Sequence, residues 1–159
     1  MSQTSEYKLI LDFLSSGKKT ITRAVGMSMF PWILPNENMV IEPFSVENLK
    51  NGKVVIFISD NRLIAHRVIK LDFENKICTT KGDGNLKADL PIEFDKIVGI
   101  VIKTQNNRAF WTQYAVGNFG FLIAKSSWLL APINCFLGRI VGKVSIYIKK
   151  SIKRKRSSI

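Results

Sequence analysis

Two apolar, β-branched runs, Val54-Val55-Ile56-Phe57-Ile58 and Leu63 through Leu71, are separated only by Ser59-Asp60-Asn61-Arg62. Val, Ile and Phe crowd the preceding turn of a helix but pack well on a pleated surface, so such runs favour strands. Two of them joined by a short polar turn make an antiparallel hairpin. That hairpin commits the middle of the chain to a sheet.

The flanking sequence extends it. Thr20-Ile21-Thr22 opens a strand that ends at Gly26, and Met39–Ile41 opens another behind the turn-forming Pro35-Asn36-Glu37-Asn38. Further strands are expected at Ile77–Thr80 and Ile97–Lys103, with the turn Lys81-Gly82-Asp83-Gly84-Asn85 between them. Ahead of the strands, Ser5–Leu14 spaces Tyr7, Ile10, Leu11 and Leu14 as one face of a helix, which Ser15-Ser16-Gly17 stops. The expectation is a mainly β domain over residues 1–105, with its core at about 18–105 and a short N-terminal helix.

Residues 106–159 differ in kind. Phe110, Trp111, Tyr114, Phe119, Phe121 and Trp128 crowd a stretch that also holds Gly117, Gly120 and Pro132. Then Phe136, Ile140, Val144 and Ile148 recur at i, i+4 with Leu137 and Val141 beside them, while Arg139 and Lys143 take the other side. This pattern predicts an amphipathic helix with a cationic face, followed by the polybasic Lys149-Lys150 and Lys153-Arg154-Lys155-Arg156.

Charge separates the two parts. Residues 1–105 carry 14 basic and all 12 acidic residues, whereas 106–159 carry 10 basic residues and no acid. A segment so cationic seeks an anionic surface, either lipid headgroups or nucleic acid. Its apolar face and aromatic side chains favour peripheral attachment to the cytoplasmic face of a membrane, with nucleic acid the less favoured partner.

A spanning helix is not expected. Phe119–Gly138, the nearest candidate, is broken by Lys125, Ser126, Ser127, Pro132 and Asn134, short of the roughly 18 apolar residues required. Met1–Leu14 lacks the basic and apolar regions of a signal peptide, so none is expected. A content of 46% hydrophobic and 23% charged residues excludes a disordered or fibrous chain. Cys78 and Cys135 cannot build a disulfide framework, and no Cys/His cluster has metal-ligand spacing; neither a metal nor another cofactor is expected.

Four residues are candidates for chemistry. Ser28 follows a strand within Gly26-Met27-Ser28-Met29-Phe30-Pro31, where a tight turn could aim the N–H groups of Met27 and Ser28 into one pocket. A serine becomes a nucleophile only with a base to take its proton and donors for the oxyanion; otherwise this is a structural turn. His66, the single histidine, lies in the second strand of the hairpin. An imidazole titrating near ~6.5 suits general-base work, and the alternative is a histidine that only packs. Asp83 and Asp89 offer carboxylates to orient an imidazole, or are respectively a turn residue and an exposed loop charge.

Taken in order, Gly26-Met27-Ser28-Met29-Phe30-Pro31, Gly52-Lys53-Val54-Val55-Ile56-Phe57, His66-Arg67-Val68-Ile69 and Thr80-Lys81-Gly82-Asp83 with Asp89 resemble the signal peptidase I and LexA-type serine peptidase clan, over about residues 20–103. The Gly-x-Ser-Met start is similar to LexA-type self-cleaving repressors. His66 stands where they and bacterial signal peptidases have a lysine, which resembles the endoplasmic-reticulum and archaeal branch. The resemblance implies a coiled β-sheet peptidase fold, Ser28 as nucleophile, His66 as general base, Asp89 as orienting acid and Asp83 in support. It also implies a peptide or protein substrate held as an added strand, a leader or signal-peptide-like segment with small residues near the cleaved bond.

Three departures from the clan's pattern are local, and the largest departure is the missing N-terminal membrane anchor. Gly26 replaces a hydroxyl residue that often helps the oxyanion hole, leaving the donors to the Met27 and Ser28 backbone. Gly52-Lys53 replaces a Gly-Asp pair, and Pro35-Asn36-Glu37 a Pro-Gly-Asp turn. No N-terminal membrane anchor is read before Thr20, so the C-terminal segment is expected to serve as the tether. The alternatives are a LexA-like regulatory or nucleic-acid-binding module, and a catalytically silent scaffold of the same fold.

Overall fold

The computed structural model describes residues 3–60, 62–105, 116–117, 119–126, 129, 132–138, 140–141 and 143. A helix, α1 (Gln3–Ser15), precedes seven strands: β1 (Thr20–Arg23), β2 (Asn38–Pro43), β3 (Val54–Ser59), β4 (Arg62–Asp72), β5 (Ile77–Lys81), β6 (Ile92–Glu93) and β7 (Ile97–Gln105). They form one open sheet in the order β1-β2-β7-β3-β4-β5-β6. Every neighbouring pair is antiparallel. Helical residues at 120–126 and 132–138 follow the sheet. The mainly β expectation holds.

The hairpin β3–β4 lies at the centre because β3 has apolar side chains on both faces. Val54 and Ile56 join a cluster with Ile10 and Leu14 of α1, Met29, Ile33, Met39, Ile41, Val101 and Val116. Val55 and Phe57 point the other way, into a cluster with Leu49, Val68, Cys78, Ile92, Phe94, Ile97 and Ile100. Period-2 alternation thus produces two cores, one on each face.

Three details differ from the sequence reading. β1 stops at Arg23 rather than Gly26, because Ala24 turns its N–H to the Glu37 carbonyl at 2.8 Å and closes a loop instead. β6 was not anticipated; two residues long and placed just after Pro91, it pairs with Ile77 and Cys78 and has no periodicity to read. The helical residues at 132–138 begin ahead of Phe136, since Pro132 is tolerated in a first helical turn. Of the C-terminal expectations, Phe110, Trp111, Tyr114, Trp128, Arg139, Val144, Ile148 and the polybasic residues 149–156 lie outside the described residues, as does Asn61 of the hairpin turn.

The described residues of the C-terminal segment pack onto the sheet domain. Val116 is part of the α1-side core, and Ile123 and Ala124 are buried. A methyl group on Gly52, whose φ is +91°, would run into the backbone of Gly120 and Phe121. This approach requires glycine on conformational and steric grounds alike.

Cys78 reports on the second core. It is buried, and burial pushes its thiol up to about 11. The native protein therefore keeps a proton that the unfolded chain releases, so this thiol's contribution to stability falls as pH rises from about 9 to about 11. At pH 8 a maleimide is expected to modify the half-buried Cys135 and to spare Cys78 until urea unfolds the chain. Cys78→Ala should flatten the alkaline fall in stability relative to wild type, and equal slopes in urea titrations would contradict this assignment.

Candidate active site

Ser28 sits in a loop tied off at its base. Ala24 donates to the Glu37 carbonyl, and Asn36 N–H donates to the Ala24 carbonyl at 2.8 Å. Within the loop, Gly26 takes φ +92°, and Phe30 N–H and Ile33 N–H donate to the Met27 and Met29 carbonyls at 3.1 and 2.9 Å. Buried Glu37 receives the Leu34 N–H at 2.9 Å, while Met29 and Ile33 anchor the loop in the α1-side core. These bonds fix the backbone on both sides of Ser28 but leave its face open. Among the described residues, no hydrogen bond engages the N–H of Met27 or Ser28. Two such donors on a fixed turn are what an oxyanion site requires.

His66 comes from β4, opposite Val55 of β3. It is nearly buried, with the Phe57 ring against it edge to face at a centroid distance of 6.0 Å. Its Nδ1 lies 2.6 Å from Asp89 Oδ2, and the Thr80 hydroxyl donates to that same oxygen at 2.6 Å. Asp89 is itself placed by its backbone N–H, which donates to the Thr80 carbonyl at 2.9 Å. A carboxylate can only accept, so Nδ1 carries the proton and the Nε2 lone pair is left for another partner.

Ser28 and His66 line one groove of about 1070 Å³. One wall comes from Thr22, Arg23 and Ala24, and the other from Leu63, Ile64 and Ala65. Both walls are strand edges: β1 ends the sheet, and β4 pairs with β5 only from Arg67 onward. Among the described residues no hydrogen bond joins Ser28 Oγ to His66, which is common before a substrate tightens such a pair.

Asp83 is placed differently from Asp89. It is buried and faces Arg67, whose Nε and Nη2 donate to its two carboxylate oxygens at 2.8 and 2.7 Å. The third side of the guanidinium donates to the Gly52 carbonyl at 2.7 Å. Asp83 thus reaches the site through its turn: next to it, Gly84 N–H donates to the Ser28 carbonyl at 2.7 Å. A methyl on Gly84 would stand 2.9 Å from the Met27 carbonyl oxygen, so the turn and the Ser28 loop meet backbone to backbone. Buried Lys81 lies beside both carboxylates. Burial pulls its amine below the usual lysine range, and Asp83 and Asp89 oppose that.

In the sequence Arg67 and Thr80 stand out only as parts of motifs. A signal for Arg67 was present: an arginine inside an apolar strand, next to a residue on the opposite face, must find a buried carboxylate. With Arg67 and His66 on opposite faces of β4, two nearby aspartates divide between them. Thr80 and Glu37 carried no such signal, because their roles depend on loop closure. Among the described residues no group of His, Cys, Asp and Glu is placed to hold a metal ion. No protein-family model, curated protein or solved structure matches the chain.

Removing one partner of a buried ion pair strands the other. Arg67→Met and Asp83→Asn are each expected to destabilise the protein by about 3–5 kcal/mol in urea unfolding. The double variant should lose clearly less than the sum of the two. Additive losses would show that the pair does not act as a unit.

Proposed function

We propose that this protein is a serine endopeptidase of the signal peptidase and LexA-type clan, with Ser28 as nucleophile, His66 as general base and Asp89 as the orienting carboxylate. The supporting observation is the 2.6 Å contact of His66 Nδ1 with Asp89, in a histidine that lines the same groove as Ser28. On this reading the open sheet and its flanking helices are the clan's coiled-sheet peptidase domain.

The geometry supports the following chemistry. Asp89 fixes the Nδ1–H tautomer, so Nε2 accepts the Ser28 proton as Oγ attacks a peptide carbonyl. The carbonyl oxygen gains charge and is met by the Met27 and Ser28 N–H groups. The imidazolium, stabilised by Asp89, then gives its proton to the leaving amine as the C–N bond breaks. Water, activated by the same histidine, hydrolyses the acyl-enzyme and returns Ser28 to its hydroxyl form.

The two strand edges suit an extended substrate. A peptide laid between β1 and the first half of β4 can satisfy backbone N–H and C=O groups on both sides, as in strand addition. The groove floor is apolar, with Met29, Ile33, Met39 and Ile56, which favours apolar or small side chains near the cleaved bond. A leader or signal-peptide-like segment has that composition.

The test is labelling by a fluorophosphonate together with cleavage of leader-type peptides. Ser28→Ala should abolish labelling, and Ser28→Ala and His66→Ala should each lower cleavage by about 1000-fold or more, with unfolding midpoints near wild type. Asp89→Asn should reduce cleavage at least about 100-fold by freeing the wrong tautomer. Full cleavage by Ser28→Ala would exclude the mechanism.

A further inference from the structure

We propose that the helical residues between 119 and 141 form a docking surface for an anionic lipid bilayer. This inference is independent of the peptidase reading and holds whether or not Ser28 is a nucleophile.

The segment has one face committed to the protein. Val116, Ile123 and Ala124 are buried, and the Asn134 side-chain amide donates to the Asp83 carbonyl at 3.4 Å. A methyl on Gly138 would lie 3.7 Å from Phe30 Cδ1 and 3.8 Å from Met27 Cε, so this face rests on the loop that carries Ser28. The described residues that face outward are apolar: Phe119, Phe121, Leu122, Leu129, Ile133 and Phe136 are each more than half exposed, Leu129 at 81%. Single exposed apolar residues are ordinary, but a run of six along one segment marks an interaction surface.

Charge selects the occupant. Residues 106–159 hold 10 basic residues and no acid, and Lys125 and Lys143 are exposed within or beside the apolar face. A second copy would bring an equally cationic segment against this one. A nucleic acid would neutralise the charge but leave the phenylalanines and leucines in water. An anionic bilayer accepts both, with side chains at the acyl boundary and lysines among the headgroups. Since the inner face of the same segment lies on Met27 and Phe30, docking would hold the Ser28 loop close to the lipid surface.

Full-length protein is sedimented with phosphatidylcholine vesicles, with and without one third phosphatidylglycerol. Binding is expected at least about tenfold tighter to the anionic vesicles. Leu129→Glu/Phe136→Glu should weaken it about tenfold or more while circular dichroism and the unfolding midpoint stay unchanged. Lys153→Ser/Arg154→Ser/Lys155→Ser/Arg156→Ser should remove most of the preference for anionic lipid. Equal binding to neutral vesicles, or binding unaffected by Leu129→Glu/Phe136→Glu, would overturn the proposal. So would failure to bind vesicles accompanied by duplex DNA binding or by a dimer that the double substitution dissolves.

Discussion

The buried pair of Arg67 and Asp83 is the interaction around which the candidate site is built. Two charges taken out of water persist only if nearly every donor and acceptor is met. Here the planar guanidinium meets the carboxylate through two bonds and uses a third side on the Gly52 carbonyl. One side chain thereby joins three separated pieces of chain: β4, the turn after β5, and the loop before β3. The geometry is one that Lys could not reproduce, because an ammonium has no flat fork to span both oxygens.

Everything near Ser28 inherits that arrangement. The turn held by Asp83 presents Gly84 N–H to the Ser28 carbonyl, which fixes the distance between the Ser28 loop and the strand carrying His66. By occupying Asp83, Arg67 also leaves Asp89 as the carboxylate for His66. The neighbouring residues His66 and Arg67, on opposite faces of one strand, thus each acquire their own aspartate. Asp89 is less enclosed than Asp83, and Thr80 and the imidazole share one of its oxygens. On the proposed mechanism the more open setting of Asp89 suits a carboxylate that stabilises a transient imidazolium, whereas a structural ion pair benefits from full enclosure.

How much of this was legible in the sequence varied with the length scale of the cause. The strands were legible because β-branched alternation is a local property, and β1–β5 and β7 lie within a few residues of where it places them. The order of strands was not, since β7 returning between β2 and β3 depends on contacts no window contains. Among the site residues, Ser28, His66, Asp83 and Asp89 could be named from residue type and order. Which aspartate meets the histidine could only be argued from resemblance, because the answer turns on where Arg67 points. The end of β1 is not legible for a similar reason: Ala24 bonds residues 36 and 37 where the sequence pattern continues the strand.

The contrast in charge between the two parts of the chain suggests an appendage, yet the described residues of the C-terminal segment pack into the same body. Gly52 and Gly120 allow two backbones to touch where any side chain would hold them apart, and the Arg67 guanidinium would lie 3.1 Å from a methyl built on Gly120. Asn134 bonds the carbonyl of Asp83 itself. The segment therefore seats on the same buried pair that organises the Ser28 loop, and its position is set by the groups that set the site. Met27, Phe30 and the Asp83 turn, the elements on either side of Ser28, are among the groups this segment meets. Charge composition separates the two parts along the sequence, while the Arg67–Asp83 pair joins them in space.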